Sequence, residues 1–302
     1  MSKLEVKLGG LKLKNPIILA SGTCNFGQEF SQFFPLCKLG GLALKGTTLL
    51  PRAGNPPPRV AEVYGGILNS VGLQNPGFAE FANIHLPALA SCGCALIANI
   101  AGSTEQEYIE LARLASDCPI DAIELNISCP NVKEGGVSFG RDAIAVANIV
   151  GKVRAACSLP LIVKLSPNTA DIAENALAAQ EQGADIISLV NTFEAMAIDC
   201  RTKKPILGNV TGGLSGPAIK PIALRMVWQV YNKVSIPIIG IGGIASTADV
   251  LEFLLAGASA VQIGTASLID PMLPVQIAEE LAQYAIDEGL TNISELTGAL
   301  EV

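Results

Sequence analysis

The cysteine at position 129 lies in the segment that is best suited to chemistry, NISCPNVKEGG, at residues 126–136. An apolar run precedes it, and Pro130 and the pair Gly135-Gly136 follow it. Proline favours an extended conformation in the residue before it, and glycines give a loop conformational freedom. Cys129 is therefore predicted at the end of a buried strand, in a loop that opens and closes over a site. The alternative is a buried structural cysteine whose asparagine neighbours only serve the turn.

Two lysines stand inside apolar runs that are predicted to be buried strands, Lys45 in GLALKG and Lys164 in LIVKLS. A buried lysine loses its hydration, so each is expected to face an anionic or electron-rich ligand. Uncharged polar residues and glycines stand at or just past the ends of the other predicted strands. They are Ser21, Asn99, Asn126, Asn191, Thr192, Gly242, Gly243, Gly264 and Thr265. This combination predicts a site for a polar ligand that carries negative charge.

Glycines follow the last two predicted strands, in GIGGI at residues 240–244 and QIGTA at residues 262–266. They leave backbone N–H groups bare where barrels commonly bind phosphate. Neither run has the G-x-G-x-x-G spacing of a dinucleotide site, and no acidic residue follows at the usual interval. A mononucleotide phosphate fits better, so flavin mononucleotide (FMN) is expected rather than NAD or FAD.

Eight short apolar runs are predicted to be strands, and the segments between them have helical periodicity. For example, Val146, Ile149, Val150 and Val153 recur at helical spacing. Eight strand-helix units without an internal linker predict a single (β/α)8 TIM barrel domain over residues 1–302, with a doubly wound sheet as the alternative. The predicted strands cover residues 16–21, 41–46, 95–101, 122–128, 161–166, 186–192, 237–243 and 260–266.

Three further segments are expected to elaborate the barrel. Residues 4–13, LEVKLGGLKL, alternate around Gly9-Gly10 and predict an N-terminal β-hairpin at one end of the domain. Residues 51–74 and 193–216 are longer than plain barrel connections and follow strands at the end where the site is expected. They are predicted to form its walls; decoration or an oligomer contact is the alternative for their outer parts.

The composition excludes several classes of function. A net charge of −7 argues against a nucleic-acid partner, which requires clustered lysine and arginine. The eight cysteines show no repeated C-x-x-C pairs, so they are expected to be reduced thiols, and the close pair Cys92 and Cys94 is not expected to bind a metal. His85, the single histidine, is expected to be a surface or packing residue. No apolar run is long enough for a signal segment or a membrane span, so a soluble cytoplasmic protein is expected.

Six motifs resemble those of the class 1 dihydroorotate dehydrogenases of pyrimidine synthesis: NISCPNVKEGG, LKGTT, LNSVGLQNPG, IVKLSPN, VNT and GIGGI. The resemblance extends over residues 16–267. It implies a barrel that holds FMN and oxidises (S)-dihydroorotate to orotate. Class 2 enzymes are less similar, because they carry a serine at the position of Cys129 and a membrane-associating N-terminal extension. Within class 1, the segments KEGG and GLQNPG resemble the NAD-linked type B rather than the fumarate-linked type A.

The resemblance also implies roles for individual residues. It makes Cys129 the base that removes a proton from C5 of dihydroorotate while a hydride passes from C6 to the flavin. It puts Lys164 near the pyrimidine end of the flavin, where positive charge favours the reduced, anionic form. The residues that it puts around the substrate are Lys45, Asn69, Ser70, Val71, Gly72, Leu73, Asn126, Asn131, Asn191 and Thr192. Those that it puts around FMN are Ser21, Lys45, Gly46, Asn99, Asn126, Lys164, Val190, Gly216, Gly242, Gly243, Gly264 and Thr265.

The resemblance to type B further implies a partner subunit. That subunit carries FAD and a [2Fe-2S] cluster and passes electrons to NAD, in a heterotetramer built around a homodimer of this chain. The sequence has neither a dinucleotide fingerprint nor the cysteine spacing of a cluster, which agrees with such a division of labour. Three alternatives stay open: a fumarate-linked type A enzyme, an FMN barrel that acts on uracil as in dihydropyrimidine dehydrogenase, and a non-catalytic FMN-binding or phosphate-binding scaffold.

Overall fold

Eight parallel strands close into a barrel in the computed structural model, which describes residues 3–127 and 139–302. Consecutive strands are neighbours, and the last strand pairs with the first. The strands are β1 (Ile17–Leu19), β2 (Gly41–Ala43), β3 (Ala95–Ile100), β4 (Ala122–Asn126), β5 (Leu161–Lys164), β6 (Ile186–Leu189), β7 (Ile238–Ile241) and β8 (Ala260–Ile263). Each lies inside a predicted strand, which confirms the (β/α)8 barrel.

Every residue of these eight strands is buried, because one face lies inside the barrel and the other lies beneath helices. The helix Ala143–Ala156 covers the barrel with the predicted stripe of valines and isoleucine. No helix in the described parts of the chain is both long and apolar enough to cross a membrane. The other helical segments are Phe78–Glu80, Phe81–His85, Leu86–Ala88, Glu105–Ser116, Ile172–Glu181, Lys220–Tyr231, Thr247–Leu255, Thr265–Ile269 and Leu273–Asp287, with 3-10 turns at Pro217–Ile219 and Ile293–Leu296.

Side-chain caps fix where the helix Glu105–Ser116 begins. The hydroxyl of Thr104 accepts a hydrogen bond from the backbone N–H of Glu107 at 3.2 Å, and the carboxylate of Glu107 accepts one from the N–H of Ser103. These two bonds satisfy backbone donors that a helix start leaves unpaired. The cap therefore sets the rotation of the helix, which buries Tyr108 against the barrel.

The connection between β1 and β2 differs from the expectation of a helix after every strand. It contains only two 3-10 turns, Phe30–Gln32 and Leu36–Lys38. Gly27 has a φ of +84° and packs so closely that a Cβ there would lie 2.9 Å from Cδ1 of Leu42. Pro35 then adopts an extended conformation. A helix cannot run through these two positions, so short turns carry the chain across instead.

The N-terminal hairpin pairs Val6–Leu8 with Leu11–Leu13, as predicted. Its turn packs tightly on the barrel, since a Cβ on Gly9 would lie 2.5 Å from the carbonyl oxygen of Asp185. Asp185 directly precedes β6, so the hairpin lies at the amino-terminal end of the barrel strands. The carboxyl ends, where barrels of this type carry their sites, lie at the opposite end.

The two long insertions pair with each other in one antiparallel sheet, which the sequence did not predict. Val60–Val63 and Gly66–Asn69 come from the first insertion, and Phe193–Met196 and Thr211–Ser215 come from the second. The central pairing of this insertion sheet joins Asn69 to Gly213. A smaller ladder pairs Ile198–Asp199 with Lys204–Pro205.

Candidate active site

A cavity of about 330 Å³ opens at the carboxyl ends of the barrel strands, a size typical of a small-molecule site. Side chains from the strand ends form its base, and the insertion sheet forms part of its wall. Both insertions therefore contribute to the site, as predicted. The predicted site residues that line the cavity are Ser21, Lys45, Gly46, Asn69, Val71, Gly72, Leu73, Asn99, Asn126, Lys164, Val190, Asn191, Thr192, Gly242, Gly264 and Thr265.

Three predicted site residues lie next to the cavity but not in its wall. The N–H of Ser70 donates to the carbonyl of Arg59 at 2.7 Å, so this residue ties the first insertion together. Gly216 and Gly243 have φ values of +103° and +76°. A Cβ on Gly243 would lie 2.9 Å from the carbonyl oxygen of Gly216, so these glycines allow a close backbone approach. Cys129 and Asn131 lie outside the described residues.

A buried carboxylate, that of Glu124, lies at the centre of the polar groups beneath the cavity. It has no exposed surface, and its Oε1 lies 3.3 Å from the ammonium of Lys164. Asn99 donates from Nδ2 to the same oxygen at 3.0 Å. Gln262 donates from Nε2 to Oε2 at 2.6 Å, from the opposite side of the barrel. These donors leave the carboxylate well paired, as a buried charge must be.

The same network continues to the amide at the end of β4. Asn126 donates from Nδ2 to Oδ1 of Asn99 at 3.4 Å. Its backbone carbonyl accepts a hydrogen bond from the hydroxyl of Tyr108 at 2.8 Å. The capped helix therefore holds the strand end from outside, while Glu124 holds the neighbouring amide from inside. Asn99 and Asn126 are thus oriented before any ligand binds.

The ammonium of Lys45 is in a different situation from that of Lys164. No hydrogen-bond acceptor or acidic partner contacts it within residues 3–127 and 139–302. Burial lowers the pKa of Lys45, and this effect is larger than the opposing effect of the nearby Cys24. Burial also raises the pKa of the Cys24 thiol to about 12, so this thiol stays neutral and does not compensate the lysine. Lys45 is therefore the cation that an anionic ligand would meet.

Uncharged amides and a tight turn complete the wall. The N–H of Thr192 donates to Oδ1 of Asn191 at 2.8 Å, and its carbonyl accepts from Asn168 at 3.1 Å. Gly72 and Leu73 have φ values of +74° and +55°. A Cβ on Gly72 would lie 2.7 Å from the backbone nitrogen of Asn55, so only glycine fits this turn.

Two of the sequence motifs contact each other beside the cavity. Oδ1 of Asn75 accepts from the N–H of Thr48 at 3.2 Å and from the N–H of Gly77 at 2.9 Å. Its Nδ2 donates to the carbonyl of Leu73 at 2.7 Å. Asn75 is buried, so its amide fixes the GLQNPG turn against the LKGTT segment that carries Lys45.

A protein-family model described as dihydroorotate dehydrogenase matches residues 3–284 of the chain. The chain belongs to the dihydroorotate dehydrogenase family. Three curated relatives bear the name "Dihydroorotate dehydrogenase B (NAD(+)), catalytic subunit". The chain is 53% identical to that of Trichlorobacter lovleyi over 299 residues, which cover 99% of this chain and 98% of the relative. It is 52% identical to that of Caldicellulosiruptor saccharolyticus over 99% of both chains, and 50% identical to that of Bacteroides fragilis over the whole of both chains.

The dihydroorotate dehydrogenase family uses FMN, and the chemistry of the cavity fits this cofactor. Lys45 and Lys164 offer positive charge, and the oriented amides of Asn99 and Asn126 offer donors and acceptors to a polar ring edge. A Cβ on Gly46 would lie 2.9 Å from Oδ1 of Asn99, so glycine keeps this part of the wall open. The chemistry of these strand-end residues therefore fits FMN, and their assignment to the cofactor stays a prediction.

Two residues of the network were missed by the sequence reading. Glu124 and Gln262 stand inside the predicted strands AIELNIS and AVQIGTA. An acidic residue within an apolar barrel strand is as unusual as a lysine there. Glu124 could therefore have been selected by the same reasoning as Lys45 and Lys164. The sequence did not predict that Glu124 pairs with Lys164 within the barrel. Lys164 also lines the cavity, and its contact with a ligand stays a prediction.

The remaining candidate residues lie away from the cavity wall. The ring of His85 stacks on that of Phe26 with centroids 4.0 Å apart, which agrees with a packing role. The sulfur atoms of Cys92 and Cys94 lie 3.7 Å apart. Within the described ranges of the chain, no group of three or more His, Cys, Asp or Glu side chains is arranged to hold a metal ion.

Lys45→Met is expected to stabilise the ligand-free protein by about 1 kcal/mol at neutral pH, because methionine carries no charge into the site. Burial lowers the pKa of Lys45, so the folded protein binds fewer protons than the unfolded chain between that pKa and 10.5. The free-energy cost of burying the charged Lys45 is therefore fully present below the lowered pKa, and it declines as the pH rises towards 10.5. The advantage of the variant should therefore shrink at alkaline pH.

Urea unfolding at neutral and alkaline pH measures this difference in the free energy of unfolding. Lys12→Met is the matched control, because Lys12 is exposed on the N-terminal hairpin. A Lys45→Met protein that is less stable than the wild type at neutral pH would contradict the assignment of Lys45 as an uncompensated cation.

Proposed function

We propose that this chain oxidises (S)-dihydroorotate to orotate with bound FMN, as the catalytic subunit of an NAD-linked type B enzyme. The observation that carries the proposal is the cavity at the strand ends, where the uncompensated cation of Lys45 lies among oriented, uncharged amides. Dihydroorotate has one carboxylate and a ring whose edge alternates donors and acceptors, so it needs these groups. The names of the curated relatives supply the substrate and the acceptor class.

The reaction removes one hydrogen from each of two neighbouring carbons, and a double bond forms between C5 and C6. FMN, when bound, accepts the hydride from C6. Lys45 attracts the carboxylate of the substrate and fixes its orientation in the cavity. The amides of Asn69, Asn126 and Asn191 donate to and accept from the ring edge. Thr192 holds the side chain of Asn191 through its backbone N–H at 2.8 Å.

Cys129 takes the proton from C5 in this proposal. Its assignment rests on the sequence motif, because the residue lies outside the described residues. The position of Asn126 in the cavity wall supports it. Asn126 precedes Cys129 by three positions in the sequence. The thiol must be deprotonated to act as a base, and the uncharged polar neighbours Ser128 and Asn131 suit that need.

The electrons leave through a partner subunit in this proposal. The curated relatives are named as catalytic subunits of an NAD(+)-linked enzyme. A partner that carries FAD and a [2Fe-2S] cluster would pass electrons from FMN to NAD, in a heterotetramer around a homodimer of this chain, in the cytoplasm.

Cys129→Ser is expected to bind FMN and orotate as the wild type does. A serine hydroxyl is a much weaker base at neutral pH, so reduction of the flavin by dihydroorotate should slow by roughly 10²- to 10⁴-fold. Anaerobic stopped-flow spectroscopy of a single turnover measures that rate. Cys37→Ser makes the same chemical change at an exposed thiol and should leave the rate unchanged. Equal rates in wild type and Cys129→Ser would remove Cys129 from the reaction.

The purified chain, loaded with FMN, is expected to reduce NAD with dihydroorotate far more slowly than an extract of its source cells. Addition of the co-purified partner should restore the rate, because the partner supplies the electron path. Fumarate serves as the control acceptor. Rapid turnover with fumarate and no partner would show instead that the enzyme is of type A.

A further inference from the structure

The carboxylate of Glu124, on β4, contacts side chains from three other strands of the barrel. The register pairs Glu124 on β4 with Asn99 on β3, and it pairs Lys164 on β5 with Asn126, two residues after Glu124. Gln262 reaches the second oxygen of the carboxylate from β8, on the opposite side of the barrel. One side chain therefore determines the positions of an ammonium and an amide, both of which line the cavity.

One of the two cationic side chains in the cavity wall is paired with a carboxylate, and the other is not. Lys45 and Lys164 are the charged residues of the described cavity wall. Lys164 lies 3.3 Å from Glu124, and both side chains are buried, at 6% and 0% exposure. At this depth solvent screens the pair very little, so the negative charge offsets most of the field of the lysine. Lys45 has no such partner in the described part of the chain.

We propose that Glu124 is a positioning residue that holds Lys164 and Asn99 towards FMN and limits how strongly Lys164 stabilises the reduced flavin. This inference rests on the FMN binding of the proposed function. A lone buried lysine would favour the anionic reduced flavin strongly and would hold electrons back from an acceptor. The paired lysine lets the flavin be reduced and then pass its electrons on.

Glu124→Gln removes the charge with almost no change of shape. The Oε1 atom of Gln262 has no hydrogen-bond partner within residues 3–127 and 139–302. A flip of the Gln262 amide turns this oxygen towards the new amide of residue 124, which can donate to it. The other oxygen of residue 124 still accepts from Asn99. The variant therefore tests the charge and keeps the hydrogen bonds.

The test is the midpoint potential of FMN bound to the purified chain, measured by titration with dithionite. Glu124→Gln should raise it, because the reduced flavin gains about tenfold in affinity relative to the oxidised flavin; for two electrons this is about 30 mV. Lys164→Met should lower it. In the double variant Glu124→Gln/Lys164→Met, the ratio of the affinities for reduced and oxidised flavin should return to within about threefold of the wild-type ratio. A purely structural Glu124 would change the stability of the protein but not this potential.

The matched control is Glu62→Gln, which removes the same charge from an exposed position on the insertion sheet. It should shift the potential by less than a third as much as Glu124→Gln. The inference is overturned if Glu124→Gln leaves the potential unchanged or lowers it, or if Glu62→Gln shifts it equally.

Thermal unfolding of the FMN-free proteins adds a readout that does not need the cofactor. Glu124→Gln strands the Lys164 cation, so it should lower the unfolding temperature, and the double variant should recover most of the loss. A double variant that is no more stable than Glu124→Gln would overturn the inference. Neither the dithionite titration nor thermal unfolding uses dihydroorotate. If dihydroorotate proved not to be the substrate, both measurements would still test the role of Glu124, so the two failures can be told apart.

Discussion

A charge inside a closed barrel must find its counter-charge inside the same barrel, and this constraint organises the site. The strands are buried on both faces, and Lys164 is only 5% exposed, so water can hydrate its ammonium very little. Glu124 meets it at 3.3 Å, and Asn99 and Gln262 satisfy the remaining lone pairs of the carboxylate. Removing one partner would leave the other buried and unpaired, which commonly costs about 3–5 kcal/mol. A substitution of either Glu124 or Lys164 alone is therefore expected to destabilise the protein more than a joint replacement of both.

The outer layer of the site depends on contacts between segments that are distant in sequence. Two insertions form one sheet, in which Asn69 pairs with Gly213 and the carbonyl of Gly213 accepts from Nδ2 of Asn69 at 3.4 Å. Asn75 ties the first insertion to the segment after β2. The wall of the cavity is thus one hydrogen-bonded assembly rather than a set of separate loops. Lys45, at its edge, keeps a cation available for a ligand.

Much of this architecture was readable from the sequence, because the signals were local. Apolar runs of strand length gave all eight barrel strands, and the alternation around Gly9-Gly10 gave the hairpin. The strand-end rule brought Lys45, Asn99 and Asn126 to one cavity before any contact was known. The helix expected after β1 was wrong, since the tight packing of Gly27 against Leu42 depends on tertiary contact.

The contacts that cross the barrel were not readable from local patterns. Glu124 and Gln262 are 138 residues apart and meet only because the barrel closes. Lys164 was therefore assigned to a ligand, and Glu124, the internal acid that pairs with it, was missed. The pairing of the two insertions in one sheet was hidden for the same reason. The roles of Cys129 and Asn131 stay predictions, because they lie outside the described residues.

The measurement that tests the central claim most directly is an anaerobic titration of the FMN-loaded chain with dihydroorotate, followed at the flavin band near roughly 450 nm. The account predicts that this band bleaches to the level that dithionite produces, and that dihydrouracil leaves it unchanged. A flavin that stays oxidised with dihydroorotate, whether or not dihydrouracil reduces it, would contradict the account.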